Sequence, residues 1–360
     1  MLWDRFTNYF VNDIGIDLGT MNTLVWNASR DEIVLEEPSY VAVNVSTGKV
    51  RAVGREAKRM QGRTPGLINV IRPMRDGVIA DAAVTDEMLR IYIRKAAGFK
   101  FMMPRVLIAV PSGITDVEAR AVRDSAHHAG VREVRLVEEP FASALGVGLP
   151  VTEPDASMIV DIGGGTTEVA VISLGAIVSC NSEKCGGDAM DAAIIAHMQK
   201  KHNLQIAEPT AEVVKIQIGS ACPLQEELTM EVSGYDLAGN ANERRPRAVT
   251  ITSEEIREAL SDPLSRILLT VKKTISNCGP ELAARLLKNG ITLAGGGSLL
   301  RGLDTFISTQ SELRTVIGND PLHAVVNGTG ALLRDSAAEI FGQPENMLVG
   351  HGSINYGSIN

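Results

Sequence analysis

The apolar positions of this chain follow two alternating periods. In the first 150 residues, short runs rich in β-branched and apolar residues read as strands closed by turn residues: "DIGIDLG" (13–19), "TLVWNA" (23–28), "EIVLEE" (32–37) and "SYVAVNV" (39–45). "TDEMLRIYIRKAAG" (85–98) switches to helical spacing and stops on glycine. "RVLIAVP" is apolar throughout, the mark of a strand buried on both faces, and "DVEARAVRDSAHHAG" is again helical. "VREVRLVEEP" then predicts a strand running into Pro140, with helix resuming at "ASALGVG".

The second half starts the same programme over. "SMIVDIGG", "TTEVAVISL" and "AIVSCNSE" predict three successive strands, followed by the helices "DAMDAAIIAHMQKKH" and "PTAEVVKIQIGSA". "LTMEVSGYDL" and "RAVTIT" read as a hairpin around a polar, basic tip. Thr252 and Glu255 have the spacing of a capping box for the helical run 253–275. "GITLAGGGSLLRG" is strand, glycine turn and helix start, and the chain closes on a twice-repeated "GSIN" read as a flexible tail. The pattern predicts an α/β fold of two duplicated lobes with a cleft between them. Residues 1–11 form an amphipathic segment and 341–360 the tail. Lobe I spans 12–150 with an insertion near 32–80, and lobe II spans 151–340 with an insertion near 187–252.

Composition removes several function classes. With 44% apolar and 22% charged residues in 360, the chain is globular and long enough for two cores. A net charge of −8 and only 4% aromatic residues exclude a nucleic-acid backbone binder and a base-stacking surface. Cys180, Cys185, Cys222 and Cys278 make no CxxC pair, and the start carries no secretory leader, so the expected state is reduced thiols in the cytoplasm.

The candidate chemistry lies in a turn built twice. "GIDLGTMNT" and "VDIGGGTTEV" each run from apolar strand to aspartate, glycine turn and threonine. Glycines let backbone N–H groups close on a phosphate, and Thr20 and Thr166 or Thr167 add hydroxyls. Asp17 and Asp161 would repel a phosphate unless a cation lay between them, and Mg²⁺ bridges carboxylate and phosphate in this way. Two such turns facing each other imply a nucleoside triphosphate with Mg²⁺ gripped between lobes. The third turn, Gly295, Gly296, Gly297 and Ser298, suits either close strand–helix packing or a flat base laid on backbone. The chain has no P-loop, HExxH, GxSxG or GxGxxG site.

"DLGT", "DIGGGTTEVAVISLG" and "LAGGGSLLRGL" resemble the two phosphate motifs and the adenosine motif of the ATPase superfamily that unites actin, heat-shock chaperones and sugar kinases. "GRTPGLINVIRPMRDGVIAD", "VPSGITDVEARAV", "VEEPFASALG", "GGDAMDAAI" and "KIQIGSACP" are similar to the MreB family of bacterial actins, over residues 12 to 335. The resemblance implies an actin-like ATPase fold of four subdomains, with two RNase-H-like lobes around ATP. It implies phosphate contacts from Thr20, Met21, Asn22, Gly164, Gly165, Thr166 and Thr167. It places Glu212 and Lys215 at adenine and ribose, with Gly295 to Ser298 closing the base side. Glu139, aided by Thr167, would orient water for attack on the γ-phosphate, and Glu138 would face the other way. Slow hydrolysis would time the life of a filament. The chain departs from the family pattern at Met21, Trp26 and Gln217.

Two further stretches bear on a membrane. Leu2, Trp3, Phe6 and Phe10 share one face of a short helix. Phe99, Phe101, Met102 and Met103 make an unusually apolar connection. Both suit the protein's own core or a lipid surface, and their position at element ends favours lipid. The resemblance implies insertion of both into the inner membrane, and head-to-tail protofilaments, paired antiparallel. It also implies transmembrane cell-wall elongation proteins as partners and a role in cell shape. A chaperone would need a β-rich substrate domain, and a sugar kinase would need a second general base distinct from Glu139.

Overall fold

The structure, a computed structural model, describes residues 13–64, 66–98, 103–237, 245–344 and 348–349. The predicted aromatic helix 1–11, Phe99, Phe101 and Met102, the hairpin tip 238–244 and the GSIN repeat lie outside the described residues.

The chain begins as a meander, β1 (Asp13–Leu18), β2 (Asn22–Asn27) and β3 (Glu32–Pro38). A small unit follows: β4 (Val41–Asn44), β5 (Val50–Val53), α1 (Arg55–Met60) and β6 (Ile68–Ile71), then the hairpin β7 (Met74–Arg75) and β8 (Val78–Ile79). The lobe continues with α2 (Ala82–Ala97), β9 (Arg105–Val110), α3 (Asp116–His128), β10 (Glu133–Glu138) and α4 (Glu139–Gly146). The second meander is β11 (Ser157–Ile162), β12 (Thr167–Ser173) and β13 (Ala176–Glu183). It leads into α5 (Gly187–His202), β14 (Leu204–Gln205), α6 (Glu208–Ile218), β15 (Thr229–Asp236) and β16 (Pro246–Thr252). The chain ends with α7 (Ser253–Ala259), α8 (Ser261–Ser276), α9 (Pro280–Asn289), β17 (Ile291–Ala294), α10 (Leu303–Ser311), β18 (Thr315–Ile317), α11 (Ala324–Gly342) and β19 (Leu348–Val349).

The duplication is explicit in the sheets. One runs β3-β2-β1-β9-β10 and the other β13-β12-β11-β17-β18, each with antiparallel pairs first and parallel pairs after the central strand. Every residue of β11 and β12 is buried, the polar ones included, as strands covered on both faces require. Helix α3 starts from a complete capping box, Thr115 with Glu118, so two of the N–H groups at its start that lack helical partners are satisfied. At Thr252 only half of the expected box forms. Its hydroxyl accepts from Glu255 N at 3.2 Å, but the Glu255 carboxylate turns to His197 and His202.

The predicted boundary of the second lobe shifts. Helix α11 packs on β1, β2 and β9, and β19 extends the first sheet beyond β10. The last helix of the expected 151–340 lobe, and part of the expected tail, therefore belong to the first. The return crosses α4 at backbone contact: a Cβ on Gly328 would stand 1.8 Å from Ala142 O, and one on Gly146 1.8 Å from Ala324 O. Only glycine allows helices this close. Trp26 fits for the same reason, because its ring lies where a side chain at position 330 would be; a Cβ on Gly330 would come within 2.6 Å of it.

Candidate active site between the lobes

Asp17 is the penultimate residue of β1 and Asp161 the penultimate residue of β11. Because the two sheets share one strand order, both aspartates reach the same cleft from opposite sides. The turns that follow them touch, for a Cβ on Gly164 would meet Met21 Cγ at 2.2 Å, and one on Gly165 would come 3.0 Å from Thr20 Oγ1. A cavity of about 440 Å³ opens between them. Thr20, Met21 and Asn22 line it from one lobe, and Gly164, Gly165 and Thr166 from the other.

Four acids lie in or beside this cleft, and among the described residues no cation stands beside them. Burial and the charge of Asp161 push Asp17 up to about 7. Burial raises Asp161 to about 6, partly offset by the Ser143 hydroxyl. Glu139, the first residue of α4, is raised well above the usual carboxylate range by burial, then by Glu168, Asp17 and Asp161. Burial likewise lifts Glu168 to about 7, against the hydrogen bonds it accepts. Such groups hold their protons to higher pH than ordinary carboxylates, and a positive charge beside them would favour their ionised form.

The donor set fits Mg²⁺. Asp161 Oδ2 and Ser143 Oγ are buried, and among the described residues neither makes a hydrogen bond of normal geometry. Among the described residues no three acidic, histidine or cysteine side chains converge tightly enough to hold a metal by themselves. An ion here would be bound by one or two carboxylates, with water and phosphate oxygens completing its shell.

Gly295, Gly296 and Gly297, expected at the base side, line the cavity; Gly295 has φ +75°, and a Cβ on Gly297 would strike Ile162 Cγ2 at 2.3 Å. The packing and ligand readings of this turn are thus compatible. Ser298 is not on the cavity wall; it is buried and its hydroxyl donates to Gly295 O at 2.7 Å. Thr167 also departs from the expected role. It is fully buried and its hydroxyl donates to Cys185 O at 2.6 Å, which holds the start of α5 rather than facing the phosphate side.

Glu212 and Lys215 both line the cavity, and neither pairs with the other. Glu212 Oε2 meets Lys58 Nζ at 3.5 Å across the cleft mouth, and Lys215 Nζ donates to Asp191 Oδ2 at 2.9 Å and Gly187 O at 3.0 Å. Glu139 lines the cavity; Glu138 is buried in the fold behind it. Gln217 is exposed and stands off the wall.

Several wall residues escaped the sequence reading. Ile216, Leu299 and Leu322 line the cavity yet remain half-exposed, an open apolar face suited to a flat ring. Arg72 Nη1 reaches Asp188 Oδ2 at 2.7 Å from the opposite lobe. Gly77, in the turn between β7 and β8, donates its N–H to Thr20 Oγ1 at 3.1 Å. "RPMRDG" and "GGDAM" held these residues, but nothing in either stretch said that the two ends meet. Met103, the described member of the apolar connection, is 62% exposed.

The family described as MreB/Mbl protein matches residues 11–340. The chain is 49% identical over 335 residues to the cell shape-determining protein MreB of Escherichia coli K12, covering 91% of this chain and 95% of that one. Among solved structures it is similar to MreB5 of Spiroplasma citri bound to AMPPNP, with TM-score 0.84, 36% identity, and 89% and 96% coverage. The MamK double helical filament, 23% identical with TM-score 0.76 over 90% and 99% of the two chains, shares the actin-like fold.

Proposed function

The chain belongs to the MreB/Mbl family, and from that premise we propose that it is an ATP-dependent actin-like filament protein that assembles on the inner face of the cytoplasmic membrane. One observation carries the reading: two acidic glycine turns, at matching positions of two duplicated sheets, face a single cavity. The S. citri relative with AMPPNP bound supports ATP as the ligand.

In this reading the turn amides and Thr20 and Thr166 hold the phosphates, and the apolar face of Ile216, Leu299 and Leu322 takes the base. Asp17 and Asp161 would hold Mg²⁺, which supplies charge neutralisation at the phosphates. Glu139 orients the attacking water, in a site where burial keeps competing water out. Hydrolysis is slow and weakens the filament, so the chain is an enzyme by chemistry and a polymer by role. Copies join head to tail, a contact that does not close, and the strands pair antiparallel. Transmembrane cell-wall elongation proteins are the partners through which cell-wall synthesis and cell shape are organised.

Membrane attachment is supported by where the two strands that follow the apolar stretches begin. Asp13 and Arg105 are partners in the parallel β1–β9 ladder, so these two strands start at the same end of one sheet. Each is a weak anchor, and a filament multiplies them. No helix among the described residues is long and apolar enough to cross a membrane.

The test is sedimentation and negative-stain microscopy with ATP and Mg²⁺, with and without anionic liposomes, for wild type and Glu139→Ala. Filaments should need ATP, gather on liposomes and last longer in the variant, whose phosphate release should slow about tenfold or more. Absence of polymer under every condition, with phosphate transferred to an added sugar instead, would leave the fold standing and the function wrong.

A further inference from the structure

One buried charge has no place in that account. Glu168, on β12, is 1% exposed, does not line the cavity, and among the described residues has no arginine or lysine beside it. A carboxylate is left in such a position only where its acceptors are used. One oxygen, Oε2, accepts the backbone N–H of Ser112 at 3.2 Å, and the other, Oε1, accepts the hydroxyl of Ser182. Ser182 lies directly opposite Glu168 on β13, and Asp161 directly opposite it on β11. Facing residues of adjacent strands share one side of a sheet, so all three project toward the first lobe.

Ser112 belongs to that other lobe. It sits in the loop just beyond β9, after Pro111, whose ring packs where a Cβ on Gly77 would stand, at 2.6 Å. Gly77 in turn bonds Thr20, the hydroxyl of the first phosphate turn. A chain of contacts therefore runs from Asp161's neighbour in the second lobe, through Ser112 and Pro111, to the turn that follows Asp17 in the first. Glu168 is the one side chain in that chain that spans the lobes. It is also close enough to be the strongest charge acting on Glu139.

We propose that Glu168 is a positioning residue for hydrolysis, tying the loop after β9 to the second lobe and so setting the separation of Glu139 from the Asp161 turn. The proposal rests on the ATPase reading above. It predicts that loss of the tether harms the chemical step, where in-line geometry matters, more than it harms nucleotide binding, which many other contacts share.

The experiment measures ATP affinity and single-turnover phosphate release for wild type, Glu168→Ala, Glu168→Gln and Ser182→Ala. Glu168→Ala should slow release about tenfold or more with affinity changed less than about threefold. Glu168→Gln keeps a carbonyl acceptor for Ser112 N–H and should recover most of the rate; Ser182→Ala, which removes one of two donors, should fall between. Turnover in Glu168→Ala equal to wild type, or affinity falling as far as turnover, overturns the proposal. Glu168→Gln as slow as Glu168→Ala also overturns it, by assigning the effect to charge. If Glu168→Ala does not fold, Glu168→Gln and Ser182→Ala decide: an unimpaired Ser182→Ala or a slow Glu168→Gln sinks the tether. A wild type that hydrolyses no ATP removes the functional reading and this proposal together, whereas a hydrolysing wild type with an indifferent Glu168→Ala removes the proposal alone.

Discussion

Arg72 Nη1 lies 2.7 Å from Asp188 Oδ2, joining the segment after β6 in one lobe to the first turn of α5 in the other. Asp188 is itself tied to the second phosphate turn, since its N–H donates to Gly164 O at 2.8 Å. The ion pair therefore spans the cleft mouth one hydrogen bond away from the glycine turn of Gly164.

Opening the cleft must break that pair and the longer Lys58–Glu212 pair. Both are partly solvated, so each contributes at most about 1 kcal/mol. Arg72→Ala should speed release of a fluorescent ATP analogue by roughly fivefold, read by stopped-flow chase. Reversing both charges, Arg72→Asp with Asp188→Arg, should restore part of the difference. Equal release rates in wild type and Arg72→Ala would show that the pair does not restrain opening.

The crossing of α4 and α11 makes a stability prediction. Gly328→Ala forces a methyl into Ala142 O and should cost about 2 kcal/mol or more in urea unfolding. Gly66→Ala, where a Cβ would meet nothing within 4 Å, should leave the midpoint unchanged or slightly raised. Similar midpoints for the two variants would contradict the close helix contact.

The acidic pair predicts a pH dependence. Asp17 and Asp161 keep their protons to about 7 and 6 in the folded chain, against about 3.9 unfolded. The unfolded state therefore loses these protons first, and the nucleotide-free protein loses stability as pH rises from about 4 through 7. Asp17→Asn should be more stable than wild type at pH 7.5, by on the order of 1 kcal/mol because the carboxylate partly meets the open cavity, and indistinguishable from it near pH 4. The same variant should lose Mg²⁺-dependent ATP binding. A stability difference that does not grow with pH would mean that the pair is not strained by its charge.

Met103 offers a clean probe of membrane contact, because its exposure makes Met103→Glu nearly neutral for folding. We expect weaker co-sedimentation with anionic liposomes at unchanged ATP-driven assembly. Retention of full liposome binding would count against the apolar connection as an anchor.

What the sequence determined by itself was everything encoded within a few neighbouring residues. The alternating runs set the strands, the Asp–Gly turns after them marked the phosphate side, and their recurrence exposed the duplication, because strand period and glycine turns depend on local backbone chemistry. The motifs carried the family resemblance for the same reason. Tertiary structure decided whatever depends on partners far away in the chain. Helix α11 reads as an ordinary continuation of the second lobe until Gly328 and Gly146 bring it onto α4. Lys215 stands only three residues from Glu212, yet it bonds Asp191 and Gly187, while Glu212 turns to Lys58, 154 positions distant. Thr167 carries the right hydroxyl in the right motif, but packing commits it to Cys185. Glu168 looks like any polar residue alternating out of a strand, and only the approach of the other lobe buries it against Ser112. Local preference fixes which element forms; which side chains then meet, and which of them are left in the dark with a charge, is settled by how two lobes close on each other.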